Sequence, residues 1–351
     1  MSRTIRVNAG GGYDVVIAPG LLREAGTRIR AACRGEKLCL VTDDRVAALY
    51  ADTVEASARG AGFQTERFVF PQGEASKTPE TWLRLSRFLA EKELGGTDAV
   101  VALGGGVTGD LAGFAAASYR RGIGFVQMPT TLLAAVDSSV GGKTAVDLPE
   151  GKNLLGAFYQ PRLVLCDTDS FRTLERNTRR DGCAEIIKYA MLRGEPLLER
   201  LRDPANADGE DVIARCVEIK SEIVERDERD RGERKLLNFG HTIGHAVELM
   251  SGFSVTHGCA VAIGMAAVTR ACAKRGLCSA ETAETLLDLL RLYGLPTGTE
   301  VTAGELAKAM RSDKKRAGDT IDLILPKRVG HCEIVPTPIA ELESFVEDGL
   351  R

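Results

Sequence analysis

The sequence predicts an α/β nucleotide-type domain with a Rossmann-like parallel sheet, followed by a mostly α-helical domain. In the first half, continuous apolar runs such as "KLCLVTDD" and "DAVVALGGG" alternate with helical patterns. This alternation is typical of a parallel sheet that helices cover on both faces. Beyond about Thr173, helical periods dominate. We therefore expect two domains, 1–175 and 176–351.

The individual elements follow from the same patterns. Strands are predicted in "YDVVIAPG", "KLCLVTDD", "DAVVALGGG", "GFVQMPTT" and "RLVLCDT". The helix in "TPETWLRLSRFLAEKELGG" has clear ends, because Thr78 can cap it, Pro79 suits its first position and Gly95 or Gly96 can end it. In the second half, "TIDLILP" is the one segment that we interpret as a late strand. Helices are predicted over 181–193, 208–227, 235–250, 257–276, 279–294 and 302–311.

The bulk composition excludes several classes of protein. Charged residues make up 27% and hydrophobic residues 44% of the 351 residues, and the net charge is -3, so no basic field favours nucleic acid. Apolar runs are interrupted before membrane-spanning length, and the N-terminal stretch has no apolar signal core. Nine cysteines without a CxxC pair favour a reduced, cytoplasmic protein over a disulfide framework.

A glycine-rich turn in "VVALGGGVTGDLAGFAAASY" is predicted to join a strand to a helix. Gly104, Gly105 and Gly106 would let backbone amides approach a phosphate, and the helix N-terminus adds a positive end. A plain tight turn is the alternative, since the spacing GGGxxGD differs from GxGxxG. The position after a buried strand favours dinucleotide binding.

The stretch "MPTTLLAAVDSSVGGKTAVDLPEGKNLLGAFYQP" is predicted to be a functional loop, because it is too long for a plain connection. Lysines among glycines and amides suit a polyanionic ligand, since each ammonium can donate to phosphate or carboxylate. A solvated loop with ordinary surface charges is the alternative. The polar residues concerned are Thr130, Thr131, Asp137, Ser138, Lys143, Lys152 and Asn153.

Three of the four histidines lie in "LNFGHTIGHAVE" and "VTHGCAVAIGM", which indicates a metal site. His241 and His245 are four residues apart and would share a helix face, so spacing alone nominates them as the ligand pair. Catalytic zinc sites use three protein ligands, often including a carboxylate, and Glu185 in "DGCAEIIKYAML" is the candidate, with Lys188 one turn further. Hydrogen-bonded histidines without a metal are the alternative, and this reading is the one we take for His331.

Taken together, these motifs resemble the 3-dehydroquinate synthase family of sugar-phosphate cyclases over almost the whole chain. The matching stretches are "GEASKT", "GGGVTGDLAGFAAASYRRG", "MPTTLLAAVDSSVGGKTAVD", "GKNLLGAFYQP", "AEIIKYA", "DERDRGERKLLNFGHTIGHAVE", "HG" at 257–258 and "DKK" at 313–315. The resemblance implies an N-terminal NAD domain, a C-terminal helical domain, an active site in the cleft between them and a homodimer. It also implies a divalent ion, zinc or cobalt.

The implied reaction of the shikimate pathway converts the sugar phosphate 3-deoxy-D-arabino-heptulosonate 7-phosphate into 3-dehydroquinate and phosphate. NAD oxidises the substrate transiently, phosphate is eliminated, hydride returns, the ring opens and an intramolecular aldol reaction closes the carbocycle. In such a reaction the substrate's own phosphate can take the proton, so that no strong protein base is needed.

The resemblance also assigns site residues and replaces the ligand pair suggested by spacing. It implies metal binding by Glu185, His241 and His257, with His245 near the substrate. The implied NAD contacts are Asp43, Glu74, Lys77, Gly105, Gly106, Val107, Asp110, Thr130, Thr131, Lys143 and Thr173, with Lys152 between cofactor and substrate. The implied substrate contacts are Asp137, Lys143, Asn153, Lys188, Lys220, Asp230, Arg234, Asn238, Lys314 or Lys315, and Arg121, which would reach the neighbouring subunit's substrate phosphate.

Other functions remain alternatives. A 2-deoxy-scyllo-inosose synthase or valiolone-type cyclase would share fold, NAD and metal, but its substrate lacks the carboxylate. The retained Lys220, Arg234, Asn238 and "DKK" favour dehydroquinate synthase. A polyol dehydrogenase of the glycerol dehydrogenase type would release NADH stoichiometrically. A non-enzymatic nucleotide-binding protein would be expected to have lost ligands or lysines. Among the departures from the family pattern, Asp230 replaces a common Glu and Asp147 a common Asn.

Overall fold

The computed structural model describes residues 2–311, 316–317 and 319–350. The chain divides into two compact units, which we call unit 1 (Met1–Leu174 with Lys220–Glu228) and unit 2 (Glu175–Ile219 with Arg229–Arg351). The division at Leu174 lies one residue from the expected boundary. The segment Lys220–Glu228, however, belongs to unit 1, which a single boundary in the sequence does not provide for.

Most strands of unit 1 form one largely parallel sheet. The strands of the unit are β1 (Arg3–Val7), β2 (Tyr13–Ala18), β3 (Lys37–Asp43), β4 (Gln64–Phe70), β5 (Ala99–Gly104), β6 (Gly124–Pro129), β7 (Lys143–Leu148), β8 (Gly151–Phe158) and β9 (Leu163–Asp167). Within the described residues, seven strands share one sheet in the order β1-β2-β9-β6-β5-β3-β4. All neighbours are parallel except β1 and β2. The predicted parallel sheet is therefore confirmed.

Helices cover both faces of this sheet. They are α1 (Leu21–Ala32), α2 (Asp44–Val46), α3 (Asp52–Gly60), α4 (Pro79–Glu91) and α5 (Gly106–Ser118). Neighbouring residues of β5 illustrate the two faces: Val101 packs in one apolar cluster with α1 and α3, and Val100 in another with α4 and α5. Because both faces are covered, β5 and β6 are buried throughout, as their continuous apolar sequences predict.

The polar stretch predicted as a loop contains regular structure. Strands β7 and β8 pair as an antiparallel hairpin, and β7 packs against α5. A side chain at Gly113 of α5 would lie 2.4 Å from Thr144, so glycine permits this close packing. The hairpin was missed because only three residues, Thr144 to Val146, form a buried run in β7, and β8 exposes several of its residues.

Unit 2 is mostly helical. Its helices are α6 (Arg176–Arg193), α7 (Leu197–Arg200), α8 (Glu210–Arg226), α9 (His241–Met250), α10 (His257–Lys274), α11 (Ala280–Leu292), α12 (Ala303–Arg311) and α13 (Leu342–Leu350), and the end of α8 belongs to unit 1. Its strands are β10 (Arg316–Ala317), β11 (Thr320–Arg328) and β12 (His331–Pro338), which form one antiparallel sheet. Helix α10 is buried along most of its length, against α6, α9, α11 and α13.

Two sequence expectations in unit 2 are wrong. The helix predicted over 235–250 begins at His241, because Gly240 has a positive φ of 79° that interrupts the helix after a 3-10 turn over Glu233–Asn238. The segment His331–Pro338 was not predicted as a strand, and its two prolines conceal the pattern. Of the helices that the structure describes, none is both long and apolar enough to cross a lipid bilayer.

Candidate metal centre and coenzyme-binding residues

Three helices of unit 2 carry the metal-ligand candidates. Glu185 lies in α6, His241 is the first residue of α9 and His257 is the first residue of α10. One ligand atom from each residue can be chosen so that all three lie within 4.8 Å of one another. Residues far apart in the sequence therefore meet because two helices begin beside the middle of a third.

Glycines permit this close approach of the helices. A side chain at Gly258 would lie 2.3 Å from the backbone oxygen of Asp181 in α6. At Gly240, φ is positive and a side chain would lie 2.4 Å from Met265 in α10. A hydrogen bond of 2.6 Å from the Thr256 hydroxyl to the Asp181 carboxylate further ties the start of α10 to α6. Because glycines occupy these points, α9 and α10 can begin, at His241 and His257, in close contact with their neighbouring helices.

The donor atoms converge on the Glu185 carboxylate. Its Oε1 lies 3.4 Å from Nε2 of His241 and 3.3 Å from Nε2 of His257. Both Glu185 oxygens are buried, and within the described residues neither has a hydrogen-bond partner of good geometry, although the Lys188 ammonium is in ion-pair contact. One carboxylate and two imidazoles with spare acceptor capacity are the donors that Zn²⁺ and related divalent ions prefer. The residues present therefore fit a divalent cation.

The three ligand candidates have different protonation tendencies. Burial opposes the charge on Glu185, but Lys188 and His241 outweigh it and hold the pKa of that carboxyl well below its usual range. Burial lowers the pKa of His241 against the opposing Glu185 charge. Burial also opposes a charged His257, yet the nearby carboxylates of Glu185 and Glu248 raise the pKa of His257 to about 10. A cation that binds to this cluster would therefore have to displace a proton from His257.

Each ligand histidine uses Nδ1 for a second contact. Nδ1 of His241 lies 3.2 Å from the backbone oxygen of Phe239, and Nδ1 of His257 lies 3.2 Å from Oε2 of Glu248. These contacts direct both Nε2 atoms towards Glu185. Sequence reasoning missed Glu248, although it lies seven residues after His241, two turns along the same helix face.

The histidine pair suggested by spacing does not form the converging set. His245 is exposed, with its ring centroid 5.5 Å from that of His241. It instead belongs with Glu248 and His257 to a second group whose donor atoms lie within 4.8 Å of one another. The i,i+4 spacing thus correctly predicted that His241 and His245 share a helix face, but His245 is not the histidine that converges with His241 on Glu185.

The other predicted substrate residues of unit 2 that the structure describes lie in α6, in the 3-10 turn before α9 and in the segment before that turn. Lys188, one turn after Glu185, is 1% exposed, and so is Arg234 in the 3-10 turn before α9. Asn238 ends that turn, and Asp230 has a positive φ of 57°. Lys314 and Lys315 lie outside the described residues.

The glycine turn of unit 1 fits a phosphate-bearing ligand. Gly105 precedes α5 as its N-cap and has no side chain to occupy the first amides of the helix, including those of Gly106 and Val107. The hydroxyls of Thr108 and Thr130 are buried, and neither has a hydrogen-bond partner among the described residues. A side chain at Gly105 would lie 3.1 Å from Thr131. The uncapped amides and the hydroxyls without a partner can together donate hydrogen bonds to the phosphate oxygens of a dinucleotide.

Lys77 is the centre of a polar network beside this turn. Its ammonium lies 2.7 Å from Asp110 in α5 and donates to the side-chain oxygen of Asn153 at 2.6 Å. Glu74 and Asp147 lie at 3.6 Å and 3.9 Å. Burial opposes the charge on Lys77, but Asp110 and Glu74 outweigh it and raise the pKa of Lys77 above its usual value. The network therefore holds a buried ammonium at the edge of the proposed coenzyme site.

The backbone of Asn153 is fixed by the same network. Its φ is 55°, and its N–H donates to Asp147 at 2.7 Å, while Asp147 donates its own N–H to the backbone oxygen of Lys77 at 2.9 Å. Lys152 lies 3.8 Å from Glu74. The structure thus brings together five predicted residues, Glu74, Lys77, Asp110, Lys152 and Asn153, through contacts centred on Lys77. Asp147, which joins Lys77 to Asn153, was singled out only as a departure from the family pattern.

Other predicted residues of unit 1 lie in separate contacts. Lys220 is 5% exposed and donates to the backbone oxygen of Asp137 at 2.6 Å, with the Asp137 carboxylate at 3.2 Å. Asp43 ends β3 and caps α2 by accepting from the N–H of Val46 at 2.8 Å. Thr173 and the Tyr50 hydroxyl share a hydrogen bond of 2.6 Å. Lys143 and Arg121 are exposed, and Arg121 has a positive φ of 64°.

Solved structures share this fold over nearly the whole chain. A 2-deoxy-scyllo-inosose synthase, crystallised with carbaglucose-6-phosphate, NAD⁺ and Co²⁺, has a TM-score of 0.87 at 25% identity, covering 99% of this chain and 100% of that one. The 2-epi-5-epi-valiolone synthase of Streptomyces hygroscopicus subsp. jinggangensis 5008, with NAD⁺ and Zn²⁺ bound, has a TM-score of 0.87 at 28% identity, covering 95% and 96%. These structures define the class as synthases with the dehydroquinate synthase-like fold, as predicted.

The sequence comparison identifies the family within this class. The family models described as the N-terminal and C-terminal parts of 3-dehydroquinate synthase match residues 67–181 and 182–316. A 3-dehydroquinate synthase of Enterococcus faecalis (strain ATCC 47077 / OG1RF) is 43% identical over 95% of both chains. The chain belongs to the 3-dehydroquinate synthase family, which confirms the resemblance seen in the sequence.

Proposed function

We propose that this chain converts 3-deoxy-D-arabino-heptulosonate 7-phosphate into 3-dehydroquinate and phosphate. The observation that carries the proposal is the convergence of Glu185, His241 and His257 in a chain 43% identical, over nearly its full length, to a 3-dehydroquinate synthase. Family membership supplies the reaction, and the cluster supplies the donor set that the chemistry requires.

NAD and one divalent cation are the proposed cofactors. The synthases of the same fold that were crystallised with NAD⁺ and Co²⁺ or Zn²⁺ support this, as do the open amides at Gly105 and the donor atoms around Glu185. When bound, NAD supplies a reversible hydride acceptor, and the cation supplies charge that lowers the pKa of substrate hydroxyls. Glu185 remains a carboxylate at neutral pH because its pKa is low, so its role is that of a ligand and not of a general acid.

Buried cationic side chains are proposed to bind the substrate carboxylate and hydroxyls. Lys188 and Arg234 are almost fully buried, and a desolvated ammonium or guanidinium makes stronger charge-assisted hydrogen bonds than an exposed one. Lys220 is held by Asp137 in unit 1 and would keep its ammonium in a fixed position. Asn238, Asp230 and a lysine of the pair Lys314 and Lys315 complete the proposed set by family resemblance.

The substrate phosphate is proposed to contact Lys143, Asn153, His245 and Arg121. Holding the phosphate still matters because its own oxygen can then take the proton that leaves during elimination. Lys143, Asn153 and His245 are exposed. The side-chain oxygen of Asn153 accepts from Lys77, and the backbone N–H of Asn153 donates to Asp147. Replacing Lys143 with Ala should weaken substrate binding and slow turnover, and an unchanged variant would contradict the assignment.

A homodimer is proposed because Arg121 is assigned to the partner's substrate. Its exposure and its left-handed backbone, which is uncommon for a residue other than glycine, suit a side chain presented to another subunit. Mixing Arg121→Ala with His257→Ala should restore activity in hybrid dimers, whereas a monomer could not be complemented. A cytoplasmic location is also proposed, since the cysteines are thiols and eight of the nine are buried.

The direct test is product formation from the heptulosonate phosphate with NAD and Co²⁺ present. We expect phosphate and dehydroquinate in equal amounts, no net NADH, and loss of activity on adding EDTA. The fold shared with the inosose synthase makes a cyclase of carboxylate-free sugar phosphates the second candidate. A hexose 6-phosphate substrate distinguishes the two, and its turnover in place of the heptulosonate would overturn the proposal. Net NADH production from glycerol would instead indicate a polyol dehydrogenase.

A further inference from the structure

We propose that Glu248 is a positioning residue for the cation site. Its carboxylate holds the imidazole of His257 through Nδ1, so that Nε2 faces Glu185. The inference rests on the proposed function in one respect only, that Glu185, His241 and His257 bind a divalent cation.

The geometry links two helices through a buried carboxylate. Oε2 of Glu248 lies 3.2 Å from Nδ1 of His257, and Nε2 of the same ring lies 3.3 Å from Oε1 of Glu185. Glu248 is 3% exposed. Helix α9 therefore provides His241 at its start and, two turns later, the group that holds the opposite side of the second histidine ring.

The two ligand histidines differ in how much support they need. The His241 side chain is 12% exposed, so its neighbours confine it, and its Nδ1 contacts the backbone oxygen of Phe239. The His257 side chain is 34% exposed, which leaves it room to rotate if the contact with Glu248 is removed. The more exposed ring is the one that a charged side chain holds.

Burying a carboxylate is costly unless nearby groups compensate it. At Glu248 one compensating contact is with a histidine that is itself a candidate ligand. Such a carboxylate fixes the tautomer and orientation of a ligand imidazole and increases its basicity, and its loss typically weakens metal binding by about 10–100-fold. The position of Glu248 thus matches a function in cation binding rather than in packing.

The experiment measures Co²⁺ binding in the absence of substrate and NAD. Dissociation constants come from competition with a chromophoric chelator, and visible absorption of bound Co²⁺ reports the geometry of its ligands. Glu248→Ala removes the contact, and Glu248→Gln removes the charge but keeps an oxygen that can accept from Nδ1. Glu333→Gln is the matched control, because Glu333 contacts Nε2 of the exposed His331 at 3.4 Å.

We expect Co²⁺ to bind about 10–100-fold more weakly to Glu248→Ala, with altered absorption bands, and a smaller loss in Glu248→Gln. Glu333→Gln should match the wild type. Unchanged affinity and absorption in both Glu248 variants would overturn the proposal, and Glu248→Gln alone decides if Glu248→Ala does not fold. Because no substrate is used, a wild-type protein that forms no dehydroquinate would contradict the proposed function without affecting this result.

Discussion

Lys77 in unit 1 and Glu185 in unit 2 are both buried charges, but they are balanced in different ways. The Lys77 ammonium has Asp110 at 2.7 Å and the Asn153 oxygen at 2.6 Å, with two further carboxylates within 3.9 Å. Glu185 has Lys188 and two imidazoles, and its oxygens retain acceptor capacity. The Lys77 network is therefore satisfied by its own side chains, whereas the Glu185 cluster is a donor set that a divalent cation would complete.

The largest expected effect comes from removing Glu185. Glu185→Ala takes the acidic partner away from buried Lys188, so we expect the free energy of unfolding of the metal-free protein to fall by about 3–5 kcal/mol. Asp110→Ala should cost only about 1–3 kcal/mol, because Lys77 keeps other oxygen partners. Urea denaturation of both variants measures the difference, and equal losses would show that the two charges are balanced alike.

A somewhat smaller effect is expected from the cation itself. Co²⁺ at about one hundred times its dissociation constant should raise the free energy of unfolding of the wild type by about 2.7 kcal/mol. Co²⁺ should raise the free energy of unfolding of Asp110→Ala as much as that of the wild type, and that of Glu185→Ala hardly at all. Urea denaturation with Co²⁺ and with EDTA tests this, and an increment in Glu185→Ala equal to that of the wild type would place the cation elsewhere.

The fold was largely predictable from the sequence because its signals are local. Continuous apolar runs gave the parallel strands, and Thr78 accepts from the N–H of Thr81 at 3.3 Å as the predicted cap of α4. The hairpin of β7 and β8 was missed because the buried run in β7 is short and β8 exposes several of its residues. The inclusion of Lys220–Glu228 in unit 1 depends on contacts between distant segments, which periodicity does not report.

The candidate site was predictable in part for the same reason. Spacing identified the face shared by His241 and His245 but could not reveal that α10 begins beside α6, which depends on tertiary packing at Gly258. Glu185 was already the candidate carboxylate from the sequence, and the family resemblance supplied His257 as a ligand in place of His245. Neither approach indicated Glu248 or the contacts of Asp147, because the partners of these carboxylates come from packing that the sequence pattern does not show.

Cation binding by the Glu185 cluster should depend on pH through His257. His257 has a pKa raised to about 10 in the cation-free cluster, so at neutral pH the ring is an imidazolium with protons on both nitrogens, and one of them would have to leave when the cation binds. Affinity for Co²⁺ should therefore fall as pH falls, by about tenfold per unit between about pH 9 and pH 7. The pKa of His241 is lowered, so His241 is already neutral in this range and releases no further proton when the cation binds. Chelator competition at several pH values measures the slope, and a slope near zero or two would contradict this account.

The smallest effect is expected at Asp147. Asp147→Asn keeps an oxygen that can accept from the Asn153 N–H, and burial already raises the pKa of the Asp147 carboxyl despite the opposing charge of Lys77. Losing the charge should therefore change the free energy of unfolding by less than about 1 kcal/mol. Urea denaturation provides the measurement, with Asp147→Ala as the control that also removes the acceptor. A large loss in Asp147→Asn would show that the Lys77 network depends on this charge.

The position of a bound cation would show directly whether Glu185, His241 and His257 are its ligands. In crystals grown with Co²⁺ and NAD, anomalous diffraction at the cobalt edge should give one strong peak within bonding distance of a Glu185 oxygen and of Nε2 of both His241 and His257. A cobalt peak that contacts His245 and Glu248 instead, or that lies away from all of these residues, would contradict the account.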